Sequence, residues 1–328
     1  VRLAIVGAGV VGRAVAELAV DRGHEVVAVA DSSSAVVADG TDGRDAGVDP
    51  DAVVARKAKR GIVGNDEPAD ALAADYDALV EATPTTLGDA EPGFSHVRTA
   101  LERDRHAVLA NKGPVAERFG DLRSLVDDSD GEIRFEATVG GAMPVLSTIA
   151  DHGPAHVTAV RGVLNGTANF ILSRMAAEGL DYEHVLAEAQ DLGVAEADPS
   201  FDVDGTDAAL KCVILANVLS FGAADDPADA REFTLDDADI EGIRNVAGSA
   251  LDLASEDGLT VRLIGEVGDD SARVAPRLVK RDSPLSVSGT TNAVRIETAS
   301  AGTLTVSGRG AGGPETASAV LMDLNRLP

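Results

Sequence analysis

The hexapeptide GAGVVG at residues 7–12 follows a short apolar run at 2–6 and opens an apolar-periodic stretch that reaches about Arg22. Strand, glycine turn and helix in that order admit few folds. Gly7 permits the tight turn, Gly9 lets the backbone approach a pyrophosphate, and Gly12 lets the helix pack closely on the strand. The helix N-terminus then faces the phosphates. A lone GxGxxG is weak, and the strand before it and the helix after it supply its specificity; a tight turn without a ligand is the alternative. A second strand over 25–30 ends at Asp31, nineteen residues after Gly12, where an acid can hydrogen-bond ribose hydroxyls. That favours NAD slightly over NADP. The basic cluster Arg56, Lys57, Lys59 and Arg60 is either a solvated helix face or a set of charges folded back towards that acid.

Further strands are expected at 77–82, 106–110 and 132–138, with a helix at 93–105 and surface loops at 41–49 and 65–75. The strand ending in ATPTT, residues 82–86, faces the crevice at the carboxyl edge of a parallel sheet, and Lys112 of NKGP projects from the next strand end into it. VGGAMPV at 139–145 suggests backbone carbonyls turned into an arch. Such an arch either holds a cation, with Glu136 as the charge, or is a simple turn.

The second half gathers acids at 189–211, AQDLGVAEADPSFDVDGTDAALK, with Lys211 four residues after Asp207 on one helical face. A solvated loop with a surface ion pair is the plain alternative. Only five lysines stand among 28 basic residues, so each retained lysine asks for a reason, since Lys can release a proton and Arg cannot. A strand at 156–164 leads into a helix that starts at the Asn-Gly-Thr of 165–167, and helices at 181–192 and 207–221 flank the acidic stretch. Alternating segments at 261–267, 272–279, 293–297 and 303–307 predict an antiparallel or mixed sheet. The glycine-rich turn at 308–313 then runs into a last helix carrying Thr316, which returns the chain to the first domain.

At 328 residues two domains, or one domain with a large insertion, are expected. A formal charge of -27 repels phosphate backbones and anionic lipid, which disfavours nucleic-acid and membrane partners. It also suits a protein that stays soluble in molar salt. Cys212 is the single cysteine, which forbids an intrachain disulfide, and six histidines lack metal-ligand spacing. With no signal peptide or membrane span recognised, the expected compartment is the cytoplasm.

EATPT at 81–85, ANKGP at 110–114, EATVGGAMPV at 136–145, LNGTANFIL at 164–172, the run 192–211 and GRGAGG at 308–313 together resemble homoserine dehydrogenase, collinearly and over essentially the whole chain. The resemblance implies an α/β fold: a Rossmann-type nucleotide-binding domain at 1–135, an α+β catalytic and dimerisation domain with a mixed sheet at 136–300, and a segment 301–328 returning to the first. It implies a homodimer and reversible NAD(P)-dependent reduction of L-aspartate 4-semialdehyde to L-homoserine, in threonine and methionine biosynthesis. Lys112 and Lys211 are then the catalytic lysines, supported by Asp207. Glu196, Asp202, Gly166 and Thr167 hold the amino acid. Gly9, Val10, Val11, Thr83, Pro84, Lys112, Gly312 and Thr316 join Gly7, Gly12 and Asp31 at the cofactor. Glu136 with the carbonyls of Val139, Gly141 and Met143 forms a monovalent cation site for Na or K.

Those residue types suit the chemistry, because an aldehyde accepting hydride develops an alkoxide that needs a proton and a positive charge nearby. Ala142 stands where the family often has a third glycine and adds a methyl beside the expected cation site. The chain reaches Pro328 without a recognisable regulatory domain or fused kinase, so threonine feedback is not expected. The competing reading is another Rossmann-type NAD(P)-dependent oxidoreductase of a small amino or hydroxy acid; a substrate without an ammonium group gains nothing from Glu196 and Asp202.

Overall fold

The computed structural model describes residues 1–38, 47–224, 226–268 and 271–328, so most of the loop expected at 41–49 lies outside the described residues. The chain divides into two units, 1–142 with 311–328, and 143–310. The seam falls at 142/143 and the return at 310/311, later than the 135/136 and 300/301 read from the sequence.

In the first unit β1 (Arg2–Val6), β2 (Glu25–Ala30), β3 (Ala35–Val37), β4 (Ala78–Glu81), β5 (His106–Leu109) and β6 (Ile133–Arg134) form a sheet of order β3-β2-β1-β4-β5-β6. All neighbours are parallel except the edge strand β3. Near-continuous apolar strands are what a parallel sheet covered on both faces requires. Leu3 and Ile5 enter one cluster with Val15 and Ala16 of the helix Val10–Asp21 and with Ala317, Val320 and Leu321 of the helix Gly313–Leu324. Ala4 and Val6 point into the other, with Ala71, Tyr76 and Ala100. The strand order reverses between β1 and β4, which puts the binding crevice at their carboxyl ends.

Two expected elements end early. The helix at 93–105 stops at Leu101, where Asp104 takes a positive φ of 54° and the chain turns into β5. The strand expected over 132–138 keeps only Ile133–Arg134 and then tightens into a 3-10 turn at Glu136–Thr138. There the Glu136 N–H donates to Asp323 Oδ2 at 2.7 Å, a side-chain partner in place of a ladder bond.

In the second unit β7 (Val157–Val163), β8 (Ala238–Ile240), β9 (Leu259–Gly268), β10 (Ser271–Lys280), β11 (Thr291–Thr298) and β12 (Gly302–Arg309) form a sheet of order β12-β11-β7-β9-β10-β8. It is antiparallel except for β8 beside β10, and therefore mixed. The helix Thr206–Ala223 is buried from Asp207 to Asn217 and packs on this sheet: a Cβ on Gly265 of β9 would stand 2.5 Å from Cys212 Sγ. By length and composition this helix could cross a membrane. Its burial, with Asp207, Lys211 and Asn217 enclosed, instead makes it the core helix of its unit. Burial pushes the Cys212 thiol up to about 12, as expected of an inert core cysteine.

Candidate active site

Gly7, at φ +106°, packs so tightly under the end of β4 that a Cβ would stand 2.3 Å from the Ala82 carbonyl oxygen. A Cβ on Gly12 would stand 1.8 Å from the Gly7 oxygen. Gly9 differs, because a Cβ there would meet nothing within 4 Å. It is also the N-cap of the helix Val10–Asp21 and gives it no side-chain cap. That open helix N-terminus, with its N–H groups unused by side chains, is what a pyrophosphate needs. The residues therefore fit a dinucleotide. Val10 is 65% exposed beside this turn, and Val11 packs partly into the core. A Cβ on Gly313 would lie 2.7 Å from Val10 Cγ1, so the second glycine turn, with Gly312, stands beside the first. The Thr316 N–H closes the first helical turn onto the Gly312 carbonyl at 2.9 Å.

Asp31 is more occupied than the sequence suggested. Its Oδ1 accepts from the N–H and hydroxyl of both Ser33 and Ser34, and its Oδ2 lies 2.5 Å from Lys57 Nζ. Burial works to raise this carboxyl, but Lys57 and the serine hydrogen bonds outweigh it and hold it at about 2. Of the two readings of the basic cluster, Lys57 follows the second and folds back on the acid.

At the ends of β4 and β5 stands a network that sequence reasoning missed. Glu81 is fully buried; its Oε1 accepts from Thr83 N at 3.0 Å, from the Thr83 hydroxyl and from Asn111 Nδ2 at 3.3 Å, while Oε2 lies 2.7 Å from His96 Nδ1. Asn111 Oδ1 accepts the Gly113 N–H at 2.9 Å and so straps the turn that carries half-buried Lys112. The Lys112 N–H reaches Thr85 Oγ1 at 3.4 Å, and Pro84 between the two threonines is exposed. An acid at the end of an otherwise apolar strand was the available signal.

The second unit assembles its polar groups at the start of the core helix. Lys211 is 5% exposed; its Nζ donates to Asp207 Oδ2 at 2.7 Å and to the Leu164 carbonyl at 2.6 Å. A buried ammonium needs such partners, and the alternative of a surface ion pair is ruled out by this burial. Asp202 comes from the short helix Ser200–Val203 and lies against Asn165, whose Nδ2 is 2.6 Å from Asp202 Oδ1 and 2.9 Å from Asp207 Oδ2. Thr167 Oγ1 donates to the Val194 carbonyl at 3.1 Å, and Gly166 passes so close to Thr290 that a Cβ would stand 2.9 Å from its oxygen. Lys211, Asp207 and Asp202 are thus brought together. Glu196 is exposed on the 192–199 loop and lies outside their hydrogen-bond network. Asn165 was read from the sequence only as part of the turn that starts a helix.

Glu136 is 2% exposed, with its Oε2 3.7 Å from Arg326 Nη1. Burial pushes the neighbouring Asp323 carboxyl up to about 7; the Glu136 N–H counters that, and the Glu136 carboxylate adds to it. Val139 and Gly141, at φ +53°, continue the first unit, and Met143 begins the second, where its carbonyl accepts from Val145 N at 2.9 Å. One carboxylate with main-chain oxygens is a donor set of the hard kind that alkali cations take. Arg326 supplies a competing charge to the same carboxylate.

Residues 144–324 match the family described as Homoserine dehydrogenase, and residues 1–83 match Glutamate/Leucine/Phenylalanine/Valine dehydrogenase. The chain is 37% identical to the homoserine dehydrogenase of Methanocaldococcus jannaschii, over 98% of this chain and 96% of that one. It is 40% identical to the NAD(+)-dependent homoserine dehydrogenase of Pseudomonas canavaninivorans, over 76% of this chain and 70% of that one. Its structure is similar to that of a hyperthermophilic archaeal homoserine dehydrogenase in complex with NADPH, with a TM-score of 0.81, 28% identity, and 99% and 97% of the two chains covered.

Proposed function

The chain belongs to the homoserine dehydrogenase family, NAD(P)-dependent oxidoreductases acting on a CH–OH group, and from that premise we propose how its residues divide the work. The observation that carries the reading is buried Lys211, held by Asp207 and the Leu164 carbonyl at the head of an otherwise apolar helix. In the reducing direction the aldehyde oxygen of aspartate 4-semialdehyde takes one proton as its carbon takes one hydride. Lys211 donates that proton, and Asp207 fixes the ammonium so that it points one way. In the oxidising direction the same lysine, neutral, removes the proton from the homoserine hydroxyl. Lys112, presented by the strapped turn after β5, is the second catalytic lysine. Asp202 receives the substrate ammonium with Glu196, while Gly166 and Thr167 line the approach to the amino acid. The bound nicotinamide supplies or takes the hydride.

The glycine turn, Val10, Val11, Thr83, Pro84, Gly312 and Thr316 hold the dinucleotide. The engaged Asp31 is less free for ribose hydroxyls than a bare acid, and Lys57 sets a cation beside it that a 2'-phosphate could take. We therefore assign use of both cofactors, with NAD ahead. A weakly held Na or K at Glu136, Val139, Gly141 and Met143 has a structural role in this reading. The chain works as a homodimer, for which Leu253 and Leu278, each 63% exposed on the second unit, supply apolar surface. The excess of acids over bases suits a salt-rich cytoplasm, and the product feeds threonine and methionine biosynthesis. Homoserine-dependent reduction of NAD and of NADP, measured side by side in molar KCl, tests the assignment. Activity with homoserine and none with plain 3-hydroxy acids is expected, and the reverse pattern returns the chain to the competing oxidoreductase.

A further inference from the structure

Asn165 joins the two acids of the second unit, and all of its side-chain polar groups are engaged. It is 4% exposed and caps the helix Gly166–Glu178, where its Oδ1 accepts the Ala168 N–H at 2.8 Å. Its amide nitrogen carries two hydrogens, one directed to Asp202 Oδ1 and one to Asp207 Oδ2. These partners fix the amide orientation: turned over, its oxygen would face two carboxylates and its NH2 a backbone N–H. The preceding residue shares in the arrangement, because the Leu164 carbonyl accepts from Lys211 while Asn165 holds the acid to which Lys211 is paired. Residues 164 and 165 therefore grip both ends of the Lys211–Asp207 pair and reach across to Asp202.

Asp202 is steadied from its other side. Arg244 forms a two-point bond to Asp204 and reaches Ser200 Oγ at 2.9 Å, and the Ile243 N–H donates to the Val203 carbonyl at 2.8 Å. Gly242 packs so closely that a Cβ would stand 2.4 Å from the Val203 oxygen. The short helix bearing Asp202 is pinned from outside, and Asn165 is what ties it to the lysine.

We propose that Asn165 is a positioning residue that sets the distance between the acid receiving the substrate amine and the lysine serving its carbonyl oxygen, and so selects substrates carrying the amine at that spacing. The inference rests on the roles assigned above to Asp202 and Lys211. A hydrogen bond from a neutral amide to each of two carboxylates holds like charges near one another without an intervening cation. A small acid lacking the amine gains nothing from the alignment.

The test is Asn165→Asp in the full chain. Aspartate caps as well as asparagine, so the helix keeps its N-terminal bond, while both donors are replaced by lone pairs facing Asp202 and Asp207. The expected result is a rise in KM for homoserine with a fall in kcat, roughly tenfold or more in kcat/KM from lost hydrogen bonds to charged groups. KM for the dinucleotide stays put. The ratio of kcat/KM for homoserine to that for 4-hydroxybutanoate, its amine-free analogue, drops as well. A cap alone predicts wild-type values for all of these in the variant, and that outcome overturns the proposal. Asp202→Asn separates the two readings: unchanged homoserine KM in that variant removes the site assignment itself, whereas a raised KM there beside an unaffected Asn165→Asp removes only the role of Asn165. If Asn165→Asp fails to fold by circular dichroism, Asn165→Ser, which keeps the cap and one short donor, carries the same comparison and the same two outcomes.

Discussion

In the first unit the groups proposed to meet a dinucleotide are mostly backbone, and at Gly7 and Gly12 a side chain is excluded by contacts as short as 1.8 Å. In the second unit the groups proposed to meet the substrate are side chains, tied to one another through buried Asn165, Asp207 and Lys211. A backbone site depends on where side chains are absent, and its requirement is written locally as glycine spacing. A side-chain site depends on partners 37 to 47 residues apart, such as Asn165 with Asp202 and Lys211 with Leu164. The first is broken by atoms added at Gly7 or Gly12, and the second by a lost partner.

The contrast breaks most visibly at Lys211. Lys211→Ala removes the proposed proton donor and leaves Asp207 enclosed without its ammonium, so kcat is expected to fall by about 10²–10⁴-fold while the dinucleotide dissociation constant, read by NADH fluorescence, holds. Near-normal turnover would take this lysine out of the mechanism.

Two alanine substitutions in one motif sharpen the backbone side. Gly12→Ala forces a methyl against the Gly7 carbonyl and lowers stability by about 1–3 kcal/mol, with loss of dinucleotide binding. Gly9→Ala meets open space, so its melting temperature stays at the wild-type value while dinucleotide affinity drops. Equal melting losses in the two variants would contradict the geometry.

Glu81→Gln probes a point where the first unit uses the second unit's method. A glutamine turns its oxygen to the Thr83 and Asn111 donors and its NH2 to His96 Nδ1, exchanging bonds to a charged acceptor for neutral ones at a cost of about 1 kcal/mol in a urea titration. The cofactor KM rises and the homoserine KM does not.

The smallest effect belongs to the Asp31–Lys57 pair, worth about 1 kcal/mol or less given the exposure of Lys57. The Asp31 carboxyl titrates at about 2 in the folded chain against an ordinary 3.8. Its contribution is therefore fully present above about pH 4 and is lost as pH falls from there towards 2. Lys57→Ala narrows that window in acid unfolding and lowers the NADP to NAD efficiency ratio severalfold. An unchanged ratio would separate Lys57 from cofactor choice.

The same contrast explains what could be read in advance. GAGVVG, the apolar parallel strands and the alternating strands of the second sheet follow from spacing and periodicity, and they stand as expected. The three-residue strands β3 and β8 carry no period and exist through their neighbours. Strand β6 was overestimated because Asp323, 187 positions away, takes the Glu136 N–H. Lys211 and Asp207 were visible as an i, i+4 pair, whereas Asn165 looked like any helix cap. Glu81 and His96 meet only once β4 and its following helix are packed, and no local pattern announces that.

Residues 311–328 supply Ala317, Val320, Leu321 and Leu324 to the same apolar cluster as Leu3 and Ile5. On the ribosome, then, residues 1–142 emerge without a wall of their own core and wait while 143–310 are made. The interposed unit is complete in sequence before the one whose sequence flanks it, so a unit begun earlier is closed later.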